Sequence, residues 1–180
     1  METRHLMHKV EQASRNEPAL KELHFFNRGL REDDCEHLAW ALSCNTVVTY
    51  LDVGKNAVGD KGIAHLARSG CMTRLSTLLL SDNCMSLSGM TEVCNAVSNS
   101  SSLTHLDLSD NMLGSAAVPV VSQLIASCSS LTSLQLQVRE PKPSKFFLKS
   151  RRHTPSLSHL SIVIMGRCLR TRSWTQEPGP

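Results

Sequence analysis

Several side chains in this sequence are of types that carry acid–base chemistry. His24 with Asp52, and Asp82 with His105, could each pair an imidazole with a carboxylate, and Asp82 could also neighbour Asp110. A dyad of that kind acts only with a nucleophile, an oxyanion or phosphate cradle, or an enclosed cleft beside it. No GxGxxG or GxxxxGK motif accompanies these residues. The expectation is a non-enzymatic protein that uses no cofactor. The cysteines invite a second chemistry. Cys35, Cys44, Cys71, Cys84, Cys94, Cys128 and Cys168 make seven, with no CxxC pair among them. A structural zinc site normally needs two tightly spaced ligand pairs. Reduced, mostly buried thiols and no metal site are therefore expected.

The elements that position these residues emerge from the pattern LxxLxLxxNxL. Leu103, Leu106, Leu108, Asn111 and Leu113 match it completely, and Leu75, Leu78, Leu80, Asn83 and Met85 match with one substitution. Val48, Leu51, Val53, Asn56 and Val58 match with β-branched replacements. Leu20, Leu23, Phe25 and Leu30 match with Arg28 in the asparagine place; Leu131, Leu134 and Leu136 open a fifth copy that meets Arg139 there. Copies start at residues 20, 48, 75, 103 and 131, so the steps are 28, 27, 28 and 28. A fixed period of this length is the signature of a repeat architecture.

Each copy has a second half with helical spacing. Places 16, 19 and 23 are Cys35, Leu38 and Leu42 in the first copy, Met90, Val93 and Val97 in the third, and Val118, Val121 and Ile125 in the fourth. The second copy has Ile63 and Leu66 but Gly70 at the last place, which predicts an early helix end. Carried backwards, the register predicts that the chain starts inside a helix using Met7, Val10 and Ser14. Parallel strands cannot be joined by a hairpin, so each unit must return through its helix. One unit cannot bury its apolar side alone, but stacked units can. Asn56, Asn83 and Asn111 are placed to form a ladder, with side-chain amides satisfying backbone groups that each turn leaves unpaired.

The run NAVGDKGIAHLA (Asn56 to Ala67), with 27–28-residue units and helical returns, resembles the ribonuclease-inhibitor-like class of leucine-rich repeats, which includes the repeat regions of NOD-like receptors and Ran GTPase-activating protein. The resemblance covers residues 5–138. It implies an α/β solenoid shaped as a curved horseshoe segment, with short parallel strands on the concave side, helices on the convex side and protein binding on the strand face. It implies no catalytic residue.

Alternation along each strand sends places 2, 3, 5, 7 and 8 to the concave side or its rim. Phe26, Tyr50 and Leu79 are then apolar or aromatic anchors of a partner-binding surface. Asp52, Asp82, Asp107 and Asp110, with His105 beside them, form a stripe suited to a basic partner segment. Asp and Ser just before the asparagine are also common turn formers, and Phe26 is also a candidate for cover by the N-terminal helix.

Charge divides the chain in two. Residues 1–138 hold 10 Lys/Arg against 14 Asp/Glu, a net of −4, while residues 139–180 hold 9 against 2, a net of +7. The first part reads as a repeat array of a partial helix and about five units. The second reads as a basic, Pro-containing tail, disordered or an irregular last repeat, although Leu157, Leu160 and Ile162 offer a sixth strand. Aromatic residues are 4%, too few for a nucleic-acid stacking platform; nucleic acid is expected at most through the tail. The first residues lack the apolar core of a secretory signal, and no run is long enough to span a bilayer. A cytoplasmic location is expected, with the nucleus, cytoskeleton or cilium as alternatives. The function expected is a scaffold binding a protein partner of unknown identity. Regulation of a small GTPase, or service as a fragment of a larger receptor or cytoskeletal array, are the alternatives.

Overall fold

The computed structural model describes residues 2–98, 100–140 and 159–166. Helix α1 (Glu2–Ser14) leads into β1 (Glu22–His24), α2 (Glu32–Ser43), β2 (Tyr50–Asp52) and α3 (Gly59–Arg68). After a single 3-10 turn (Cys71–Thr73) come β3 (Thr77–Leu79), α4 (Leu87–Val97), β4 (His105–Asp107), α5 (Ala117–Ser127), β5 (Ser133–Glu140) and β6 (His159–Gly166). The strands form one parallel sheet in chain order, β1 to β6. The helices pack in sequence too, α1 on α2, α2 on α3, α3 on α4 and α4 on α5. This is the α/β solenoid that the 27–28-residue period demands.

The leucine positions make layers between sheet and helices. Leu23, Leu51, Leu78, Leu106 and Leu134 stand in register at the centres of β1 to β5 and are all buried. Phe25, Val53, Leu80, Leu108 and Leu136 form the next layer, equally buried. Each such side chain contributes roughly 1.5–3 kcal/mol through removal from water. The first and third helices of the repeat bury the expected Cys35, Leu38 and Leu42, and Met90, Val93 and Val97. Helix α3 ends early, as Gly70 implies: that residue sits at φ +74°, a left-handed conformation that favours glycine.

Two helices turn a different face inward. α1 buries Leu6, Val10 and Ala13, leaving Met7 47% exposed and Ser14 exposed. α5 buries Ala117, Val121 and Leu124, with Val118 and Ile125 only partly covered. Both sequences offer apolar residues at adjacent helical registers, and packing selects the stripe with spacings of four and three. In α5, Pro119 lies in the first turn, where its missing N–H costs no intrahelical bond.

The strand lengths divide the array. β1 to β4 are three residues each, whereas β5 and β6 are eight residues each and pair along their whole length. In the short units the residue two places after the strand's apolar layer takes a left-handed backbone: Asn27, Lys55, Asp82 and Asp110 have φ of 54°, 55°, 50° and 54°. The equivalent residue of the fifth unit is Val138, within β5, and a β-branched residue strongly resists that conformation. Arg139 then occupies the asparagine place. With no turn specified, the strand continues to Glu140. β6 lies where the Leu157, Leu160 and Ile162 spacing offered a sixth strand. The rest of the basic segment, residues 141–158 and 167–180, lies outside the described residues, as do Cys168 and the basic side chains Lys145, Lys149, Arg151 and Arg152.

Candidate functional site

The asparagines provide the frame. Asn111 is 1% exposed; its Nδ2 donates to the carbonyls of Leu80, Leu108 and Ser109, while its Oδ1 accepts the backbone N–H groups of Asn83 and Met85 at 3.0 Å each. Asn56 repeats this one unit over: Nδ2 donates to Phe25, Val53 and Gly54, and Oδ1 accepts from Arg28 and Leu30. Asn83 donates to Val53 and Ser81, but among the described residues its buried Oδ1 meets no donor. Asn56 and Asn111 thus close the turn of their own unit and of the unit before, whereas Asn83 reaches the unit before only by donating to Val53 O.

A second ladder, which the sequence reading did not find, joins helix ends to the next strand. Asn45 Nδ2 donates to Ala13 O and Oδ1 accepts from Val47 and Val48. Ser100 Oγ does the same work between Thr73 and Leu103. The signal was a small polar residue three places before the first leucine of a unit. On the helix side, Asp60 of α3 reaches the start of α4, where its carboxylate accepts from Ser86 N (2.7 Å), Ser86 Oγ (2.5 Å) and Gly89 N (3.1 Å).

On the open face of the sheet, two rows of side chains run across the strands. One row holds Glu22, Tyr50, Thr77, His105 and Ser133; the other holds His24, Asp52, Leu79, Asp107 and Gln135. Phe26 stands just beyond the second row and is 52% exposed, so α1 does not cover it. Gly54 gives that ring room: a Cβ there would come within 3.1 Å of Phe26 Cδ2 and of the Asp52 carboxylate, and 3.0 Å from Ser81 Oγ. The rings of His24 and Tyr50 lie 4.7 Å apart, tilted by 39°. Tyr50 and Leu79 are half-buried. Phe26, Tyr50, His24 and Leu79 therefore gather at the N-terminal half of the face.

The acidic stripe is not a free row of carboxylates. Asp52 is only 9% exposed, and its Oδ1 accepts the N–H of Gly54 at 2.9 Å. Asp107 Oδ1 likewise accepts from the N–H and Oγ of Ser109. Both close a local turn two residues on, which is the turn-forming role of aspartate. Asp82 and Asp110 remain exposed, but at the left-handed turn positions rather than on the strands. The exposed acid at the centre of the aromatic group is Glu22, whose Oε2 accepts from His24 Nε2 at 2.9 Å. Nearby acids act on Tyr50: desolvation, then Asp52 and Glu22, push its phenol above the usual range.

Neither acid–base pair assembles. His24 lies opposite Asp52 in register, but its ring engages Glu22 while Asp52 serves its own turn. His105 faces Thr77 and Ser133 and bonds Thr104 Oγ1. Among the described cysteines, Cys35 and Cys94 are buried with thiols pushed up to about 12 by desolvation, whereas Cys44 and Cys84 are exposed. Among the described residues, no three His, Cys, Asp or Glu converge as metal ligands, and no helix is long and apolar enough to cross a membrane.

A short parallel strand every 27–28 residues, a helix in each return and an asparagine in each inner turn define a leucine-rich repeat solenoid, a class of protein-interaction scaffold. The Leucine Rich repeat family profile matches residues 44–67 and 99–118, in agreement with the leucine-rich-repeat fold. Among solved structures it is similar to leiomodin-1 actin-binding site 2, with 19% identity and a TM-score of 0.67 over 72% of this chain and 77% of that one. It is also similar to a tropomodulin C-terminal domain from Caenorhabditis elegans, with 14% identity and a TM-score of 0.64 over 73% and 81% of the two chains. No curated protein sequence matches it.

Proposed function

We propose that the protein is a non-enzymatic scaffold that holds a protein partner on the open sheet face, centred on Phe26, Tyr50 and Leu79. The observation that carries this reading is Phe26: a large apolar ring, 52% exposed, beside the His24–Tyr50 pair on the same face. Aromatic side chains presented on a rigid sheet lose little conformational entropy on binding and are the usual anchors of an interface. Glu22, Asp82, His105 and Asp110 supply the exposed polar rim, which orients the partner and makes association salt-dependent. Asp52 and Asp107 act on this surface by holding its turns.

The test is capture from the source cell on the immobilised full chain, beside a Phe26→Ala, Tyr50→Ala, Leu79→Ala variant with matched circular dichroism. A protein retained by the native chain and lost from the variant supports the reading; the same proteins on both, or none on either, contradicts it.

A second reading is favoured by the two structural neighbours, one described as an actin-binding site. In it the partner is actin and the setting cytoskeletal. Co-sedimentation of the full chain with filamentous actin, or altered assembly of pyrene-labelled monomers, would support it. Absence of both effects would remove it and leave the first reading intact.

A further inference from the structure

The first two strands set rings against carboxylates. Glu22 of β1 stands opposite Tyr50 of β2, and His24 stands opposite Asp52. Neighbouring strands lie about 4.8 Å apart, so each ring has a carboxylate as its lateral neighbour. The two rows of the open face carry three acids, Glu22, Asp52 and Asp107, and neither row contains Lys or Arg. Lys21 precedes β1, while Arg28 and Lys55 lie in the turns beyond the strands. A positive group would therefore meet complementary charge at the Glu22 end of the face rather than at the turns.

The two acids differ in what they still offer. Asp52 is 9% exposed and holds the Gly54 N–H. The Glu22 side chain is 62% exposed; its Oε2 accepts from His24 Nε2 at 2.9 Å, and its Oε1 meets no donor among the described residues. Beside it is the half-buried ring of Tyr50, fixed by the His24 ring at 4.7 Å. An open carboxylate oxygen next to a fixed aromatic ring suits one kind of side chain best. A guanidinium is flat, so it stacks on a ring while donating N–H groups in its own plane; an ammonium is a compact, strongly hydrated point charge. We infer, resting on the sheet-face reading, that Glu22 and Tyr50 form a seat for an arginine side chain of the partner protein. The guanidinium lies on the Tyr50 ring and donates to Glu22 Oε1, His24 holds the carboxylate in place, and an apolar neighbour in the partner rests on Phe26.

The probe is N-acetyl-arginine methylamide, titrated into the full chain and followed by the NMR ring resonances of Tyr50, the only tyrosine present. Saturable shifts are expected. The citrulline counterpart, which keeps the shape but lacks the charge, should bind at least about tenfold weaker, and the lysine counterpart at least about threefold weaker. Glu22→Gln, at an exposed position, should keep the circular dichroism spectrum and weaken the arginine probe at least about fivefold. Asp110→Asn, at an exposed turn, should leave it within about twofold. No shift, equal binding of the citrulline or lysine probe, or full binding by Glu22→Gln would overturn the inference. A partner captured through Phe26, Tyr50 and Leu79 with no arginine shift would overturn this seat and leave the sheet-face reading standing. Failed capture beside a saturable arginine shift would overturn that reading and leave the site.

Discussion

Asn111 accepts the backbone N–H of Asn83 through Oδ1 at 3.0 Å, so the turn of one unit is closed by the asparagine of the next. The relationship explains both ends of the array. Arg28 occupies the asparagine place of the first unit, yet its turn forms because Asn56 accepts from Arg28 N and Leu30 N. Arg139 has no such support in sequence, because Met165 holds the equivalent place 26 residues on. Closure fails there and β5 runs to Glu140.

The two buried asparagines of the turn ladder, Asn83 and Asn111, should therefore differ in worth. Asn111→Ala strands two N–H donors and three carbonyls and is expected to cost about 3 kcal/mol, whereas Asn83→Ala, losing donors only, should cost about 1–2 kcal/mol. Urea melts of the two variants measure the difference. Equal losses would contradict the two-unit role of Oδ1.

Asp60 ties α3 to α4 through three hydrogen bonds at the helix N-terminus, where a carboxylate also meets the favourable end of the helix dipole. Asp60→Ala is expected to destabilise by about 1–2 kcal/mol in the same assay. Asp60→Asn should recover part of that, since one amide oxygen still accepts. A neutral Asp60→Ala would mean that Ser86 caps α4 unaided.

Tyr50 is the only tyrosine in the chain, so phenolate absorbance reports it alone. Its titration midpoint should lie above the ordinary tyrosine value, because burial and then Asp52 and Glu22 oppose ionisation. With the folded value raised, this group's stability contribution is complete below the ordinary pKa and is lost as pH rises through the folded one. Glu22→Gln should lower the midpoint. An ordinary midpoint unaffected by Glu22→Gln would show that Tyr50 does not sit among these acids.

The strand layers were legible because an apolar residue at places 1, 4 and 6 of every unit admits one strand phase only. Helix phase was less so: Met7 and Ser14 compete with Leu6 and Ala13 one residue away, and only packing against α2 decides. The placing of Phe26, Tyr50 and Leu79 on the open face was readable from alternation. The aspartates were not sorted by it, since Asp52 and Asp82 look alike as letters. What separates them is backbone conformation: Asp52 and Asp107 end their strands and accept the N–H groups of Gly54 and Ser109 two residues on, whereas Asp82 and Asp110 sit at the left-handed turn position. The Glu22–His24 contact within one strand, and the Asn45 and Ser100 ladder, lay outside the leucine pattern and passed unseen.

The open-face claim is tested most directly by affinity for whichever partner the native chain captures, measured by titration calorimetry on three proteins. These are the native chain, Phe26→Ala with Tyr50→Ala, and Trp40→Ala, whose ring is 73% exposed on helix α2. The account predicts that the sheet-face pair loses about 30-fold or more in Kd, equivalent to about 2 kcal/mol, while Trp40→Ala stays within about twofold. A full-strength sheet-face variant, or a loss confined to Trp40→Ala, would contradict it and move recognition to the helices.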